Sequence, residues 1–186
     1  MDTDKVTAAT WVEAALAELA QGGIDRVRVE VLAKTLGVTK GGFYRRFKDR
    51  RALLDALLET WTRGRIAAIE KHTELGDATA RERLKSVIRL YSERVNPEGM
   101  AIELAIRQWA RSDAAAAAAA ARVDGTRLKT VAQLYGKLGL AADDAEARAV
   151  LLYSFIFGQS LLFLEQAPRK RAQLVAKSAE TVLRDL

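Results

Sequence analysis

Two short amphipathic segments separated by a glycine constrain this chain more than any other feature. Apolar side chains recur at Val29, Leu32, Ala33 and Leu36, the i, i+3, i+4, i+7 spacing of one helix face. Gly37-Val38 follows, and Thr39 offers an N-cap for another short helix reaching Phe47. Before them, a helix from about Thr7 to Gln21 carries Val12, Leu16 and Leu19 on one face, and Gly22-Gly23 supplies its left-handed stop. Two short helices meeting across a glycine have the layout of a helix-turn-helix.

The same periodicity continues to the end of the chain. A fourth helix opens near Asp49, a good cap, and runs through Leu53, Leu54, Leu57, Leu58 and Trp61 towards Lys71. A fifth spans about Ala80 to Val95, and Asn96-Pro97 starts a sixth that reaches Arg111. Ser112-Asp113 recaps the chain before a seventh, whose eight consecutive alanines, Ala114 to Ala121, have high helix propensity. It ends near Lys137-Leu138-Gly139, an eighth covers about Asp143 to Gln166, and a ninth follows Pro168. The two prolines of the chain are Pro97 and Pro168, so none interrupts the first 96 residues. The expectation is an all-α protein of about nine helices.

Charge is unevenly distributed. The chain carries 30 basic and 24 acidic residues, a net +6. Between Arg26 and Arg51 there are nine cations and two anions, a local +7 (nine minus two) that exceeds the whole. A basic block of this kind points to a polyanion such as nucleic acid, or else to a solvated basic face. The longest uncharged run, Ala149 to Leu164, has 16 residues, short of the roughly 20 that a membrane-spanning helix needs. The acidic opening Met1-Asp2-Thr3-Asp4 is unlike a secretory signal. No membrane association is expected, and the chain is read as cytoplasmic. With no cysteine in the sequence, disulfide, zinc–cysteine and thiol chemistry are excluded.

Within the basic block, rotation about the third helix separates roles. Phe43 and Phe47, at i and i+4, face the core, which puts Gly41 and Arg45 outward with Gly42 and Tyr44 flanking them. Two glycines inside a helix cost about 1 kcal/mol each relative to alanine. Either they permit close backbone approach to DNA, or Gly41-Gly42 is merely a turn. Lys40 and Arg45 can reach base edges or phosphates, and the first-turn amides beside Thr39 can hold a phosphate.

The stretch from Leu36 to Leu54, LGVTKGGFYRRFKDRRALL, resembles the signature of the TetR-like bacterial transcriptional regulators. In that family Gly-Val-(Ser/Thr)-x-Gly-(Thr/Ser/Gly)-(Leu/Phe)-Tyr-x-x-Phe leads into a leucine-rich fourth helix. The resemblance covers about residues 7 to 60, including Ala33 and Gly23-Ile24-Asp25. Two departures stand out: Arg28 where Ser or Thr usually caps the second helix, and Arg50-Arg51 in place of Lys-Glu at the fourth. The second arginine is expected to raise non-specific DNA affinity.

The resemblance implies a DNA-binding domain over residues 1–50 and a helical effector-binding and dimerisation domain over 51–186. It implies base or backbone contacts from Lys40, Gly41, Gly42 and Arg45, and phosphate contacts from Thr39, Tyr44 and Arg50, with Arg46 and Lys48 as further candidates. The run from Ala149 to Leu164 is apolar on every side, which a surface helix of a monomer is not. It is either a central helix of a monomer or, as the family resemblance implies, part of a four-helix dimer interface. Tyr153, Phe157, Leu161, Leu164, Val175 and Val182 are the candidate interface residues. Tyr91, Gln108, Trp109, Tyr135, Phe155 and Gln159 are candidates for an effector pocket, with a mainly apolar or aromatic ligand expected.

The function implied is a ligand-responsive regulator, a repressor that binds a pseudo-palindromic duplex as a homodimer. The alternative is a helical protein–protein adaptor with a non-functional DNA-binding region. Catalysis is not expected: His72 is the single histidine, and His-Glu-x-x-His, Gly-x-Ser-x-Gly and glycine-rich phosphate loops are absent from the sequence. No cofactor or metal is expected.

Overall fold

The computed structural model describes residues 6–73, 78–92, 97–162 and 167–183. Among them are nine α-helices and no strand, so the protein is all-α. The helices are α1 (Ala8–Gly22), α2 (Val29–Leu36), α3 (Lys40–Tyr44), α4 (Arg50–Thr73) and α5 (Ala80–Ser92), then α6 (Pro97–Trp109), α7 (Ala114–Lys137), α8 (Ala142–Leu161) and α9 (Pro168–Val182). A 3-10 turn at Ile24–Arg26 links α1 to α2. No helix of the described residues is long and apolar enough to cross a membrane.

The helices fall into two compact units. One lies within residues 1–65 and 97–123, the other within 66–96 and 124–186. In the first, α1 packs against α2 and α6, and α2 against α3. Trp11, Leu19, Leu32, Phe43, Leu53, Leu57 and Ile106 are fully buried there. A carboxylate sits among them. Glu18, 5% exposed, accepts from Arg26 Nε at 2.8 Å and Thr35 Oγ1 at 3.2 Å, tying α1 to the 3-10 turn and to α2. The alanine run divides by face: Ala116, Ala120 and Val123 are buried, whereas Ala114, Ala115, Ala118 and Ala121 are exposed.

The turn between α2 and α3 follows from backbone geometry. Gly37 has φ 65° and ψ 31°, a left-handed conformation that a Cβ disfavours. The Val38 amide returns to the Ala33 carbonyl at 2.9 Å, closing α2. Arg28 makes no side-chain cap bond at the start of α2. Helix α3 stops at Tyr44, earlier than expected, because the amides of both Arg46 and Phe47 donate to the Phe43 carbonyl and tighten the last turn.

In the second unit α5, α8 and α9 pack together. Its apolar cluster includes Leu84, Ile88, Val131, Leu134, Tyr135, Leu152 and Ile156. The chain leaves helical geometry at Leu162, and the expected continuation of α8 over 163–166 lies outside the described residues.

One ion pair reaches far along the sequence within the first unit. Asp113 accepts from the Ala115 and Ala116 amides with Oδ1, capping α7, while its Oδ2 lies 2.7 Å from Arg51 Nη1 at the start of α4. The amide bond from Ala116, then Arg51, holds the Asp113 carboxyl below its ordinary value of 3.8. A depressed folded-state pKa adds stability that is complete above the unfolded value and is lost as pH falls through the folded one. Asp113→Ala should therefore cost about 0.5–2 kcal/mol, and Asp113→Asn, which keeps a capping oxygen, less. The gap between wild type and Asp113→Asn in thermal melts should narrow below about pH 3.8.

Candidate nucleic-acid interface

The face of α3 is set from beneath. Phe43 is fully buried and meets the Trp11 ring edge to face, centroids 5.3 Å apart at 75°. Phe47 stacks on Phe43 at 5.5 Å. With these rings inward, Thr39, Lys40, Gly41, Tyr44, Arg45, Arg46 and Lys48 are exposed and Gly42 is half-buried. Tyr44 is 60% exposed, with its ring edge against Phe43. The Thr39 hydroxyl does not cap its own helix.

Gly41 and Gly42 lie inside α3 rather than in a turn, and neither has positive φ. A Cβ on Gly41 would find Thr39 Oγ1 at 3.6 Å, and one on Gly42 would find Val38 Cγ2 at 3.9 Å, both ordinary contacts. Internal packing therefore has no need of either glycine.

The cations divide into two groups. Arg26 pairs with Glu18 and Lys40 with Glu30, each with nitrogen and oxygen 2.7 Å apart. Arg50 donates to the Val27 carbonyl at 2.6 Å and to the Ile24 carbonyl at 2.9 Å, so it braces the 3-10 turn. Arg51, though exposed, pairs with Asp55 as well as Asp113, so the second arginine of the pair already has two carboxylate partners. Arg28, Lys34, Arg45, Arg46 and Lys48 are exposed, and Arg45, Arg46 and Lys48 continue the outward face of α3. Among the described residues no group of three or more potential ligating side chains could hold a metal ion.

The candidate effector residues are distributed over both units. Gln108 is exposed and Trp109 buried on α6, the helix that packs against α1 in the first unit. Tyr135 and Phe155 join the apolar cluster of the second unit, where Gln159 is also buried. Burial raises the Tyr135 pKa above 10.0, and among the described residues neither its hydroxyl nor the Gln159 amide nitrogen has a hydrogen-bond partner. The Tyr91 side chain lies outside the described residues.

For the candidate dimer residues, Tyr153 and Phe157 stack at 6.2 Å and lie against the fully buried Arg127 guanidinium. Val175 is buried, Val182 half-buried, and Leu164 lies outside the described residues. Leu161 is 62% exposed, in company with Val150, Leu151 and Leu162 of α8 and its C-cap, and Leu174 of α9.

Sequence reasoning missed the charged members of buried stripes. Glu18 follows Trp11 and Ala15 at i+7 and i+3, and Arg127 follows Ala116, Ala120 and Val123 at helical spacing. A charge on an otherwise apolar stripe was the available signal for both.

Residues 12–57 match the family model described as bacterial regulatory proteins, tetR family. No curated protein matches the chain. Among solved structures, a putative TetR-family transcriptional regulator from Rhodococcus sp. is 25% identical, with 94% of this chain and 97% of that one covered and a TM-score of 0.65. A putative transcriptional regulator from Saccharomonospora viridis, solved in complex with choline, is 18% identical over 96% of this chain and 95% of that one, with a TM-score of 0.76. A tetR-family bacterial regulatory protein from Rhodococcus RHA1 is 23% identical over 95% of each chain, with a TM-score of 0.70.

Proposed function

We propose that this chain, which carries the fold of TetR-family transcriptional regulators, is a cytoplasmic, ligand-responsive repressor that binds a pseudo-palindromic duplex as a homodimer. The observation that carries the DNA-binding part is the outward face of α3. Two glycines that the interior does not require sit there beside Lys40, Arg45 and the exposed Tyr44. A helix stripped of side chains lets its backbone approach a groove closely, while flanking cations and a hydroxyl fix register on phosphates and bases. Thr39, Lys40, Gly41, Gly42, Tyr44 and Arg45 form the central contact set. Arg46, Lys48 and the remaining nitrogen of Arg50 lie at its edge.

Dimerisation is supported by the apolar side chains left in solvent on α8 and α9. Val150, Leu151, Leu161 and Leu174 are each at least 48% exposed, and a face of this kind favours association. One short recognition helix reads few bases, so a two-fold dimer spanning successive grooves supplies the missing specificity. The effector site is supported by the second unit, where the Tyr135 hydroxyl and the Gln159 amide nitrogen are buried and, among the described residues, unpartnered. Such groups cost about 1–3 kcal/mol each when unsatisfied. An acceptor atom on a ligand with an apolar or aromatic body would satisfy either one. The choline complex of a structural relative provides one instance of this fold with a small molecule. Release requires the ligand to prefer the arrangement that does not bind DNA, since equal affinity for both arrangements shifts nothing.

Three experiments test this reading. Gly41→Ala should stabilise the protein by up to about 1 kcal/mol yet weaken binding to labelled duplex, as followed by denaturation and by titration. Wild-type affinity should fall with salt at a log–log slope of about −0.9 per neutralised phosphate. A folded protein with no affinity for duplex would favour the adaptor role. Leu161→Glu should convert a dimer to a monomer on sedimentation without loss of helical signal, because an unpaired carboxylate is costly to bury. An unchanged sedimentation coefficient would remove Leu161 from the interface.

A further inference from the structure

Of the two acidic residues in the basic block, Asp49 serves the fold: its carboxylate accepts from the Ala52 amide at 2.8 Å and caps α4. Glu30 does not. It stands in the first turn of α2 with its side chain 61% exposed, and its Oε1 lies 2.7 Å from Nζ of Lys40, the first residue of α3, itself 56% exposed. The ammonium best placed to meet DNA from the start of the recognition helix is thus engaged by a carboxylate on the neighbouring helix.

We propose that Glu30 is a specificity-determining residue that restrains Lys40 and selects against non-specific DNA. The inference rests on the DNA-binding reading of α3 and adds a role for an acid within that interface. On a duplex of arbitrary sequence, Lys40 gains only a phosphate in exchange for its carboxylate, and the carboxylate is left facing the polyanion. The exchange gains little, and the carboxylate left beside the phosphates opposes binding. At a site that presents a base acceptor to Lys40, such as guanine O6 or N7, the ammonium gains a partner that non-specific DNA does not offer. Glu30 therefore lowers affinity for all duplexes, and least for the correct one, as a repulsive element raises specificity by penalising wrong partners. Lys40 also holds the Glu30 carboxyl below its ordinary value of 4.5, so the opposing charge persists at neutral pH.

The test is titration of an arbitrary-sequence duplex with wild type, Glu30→Gln, Lys40→Gln and the double variant, each over a salt series. Glutamine keeps the size of the side chain and removes its charge. Because both residues are solvent-exposed ion-pair partners, all variants should keep wild-type melting temperatures within a few degrees. Glu30→Gln should bind the duplex about two- to fivefold more tightly than wild type, with a log–log salt slope steeper by about 0.9 as one further cation becomes available. In the Lys40→Gln background, Glu30→Gln should change affinity far less. Unchanged affinity and slope for Glu30→Gln, or weaker binding, would overturn the proposal while leaving DNA binding intact. An equal gain with and without Lys40 would overturn the restraint through Lys40. A wild-type protein that binds no duplex at low salt would overturn the DNA-binding reading itself, and this role with it.

Discussion

The contact between Phe43 and Trp11 determines what α3 presents to solvent. A helix of five residues, Lys40–Tyr44, has no stability of its own, since nucleation alone outweighs so few hydrogen bonds. Its phase comes from the ring that is buried. With Phe43 fully inside against Trp11 and Phe47 stacked behind it, the helix has one way to sit, and Gly41, Tyr44 and Arg45 are exposed as a result. The left-handed Gly37 delivers the chain to that position, and the buried Glu18 holds α1 against the turn and helix that precede it. Removal of the Phe43 ring would loosen the platform on which every proposed contact depends.

Charge is organised by the same scaffold. The local excess of cations suggests a uniformly sticky surface, but several of them already have partners. Arg26 and Arg51 pair with carboxylates and Arg50 braces carbonyls. The fold thus takes some of the positive charge for its own cohesion, concentrating the rest on and beside α3. Exposed pairs such as Lys40–Glu30 contribute little to stability. Their larger effect is on which cations are available to an anionic partner, and at what electrostatic penalty. Glu30 is the clearest case, because its partner Lys40 is the first residue of α3.

Local signals in the sequence account for much of this. Helices α2 and α7 occupy the spans that their apolar spacing and caps predict, and the inward pair Phe43 and Phe47 follows from rotation by 100° per residue. Non-local partners were not legible. Arg51 and Asp113 are 62 positions apart, and Arg50 reaches carbonyls 23 and 26 positions back; no periodicity encodes where a carbonyl will stand in space. The aromatics show the same limit. Trp109 and Tyr135 both occupy apolar helical stripes, yet one is buried in the first unit and the other in the second. The identity of a ring says that it is buried, not which neighbours bury it.

The central claim is that the face of α3 fixed by Phe43 is the surface that meets nucleic acid. Following the backbone amides of isotope-labelled protein by NMR during titration with a duplex at low salt tests it most directly. The account predicts that shifts concentrate on residues 39–46, the exposed side of α3 and the turn after it. Shifts confined to residues 124–183 of the second unit, with residues 39–46 unmoved, would contradict it.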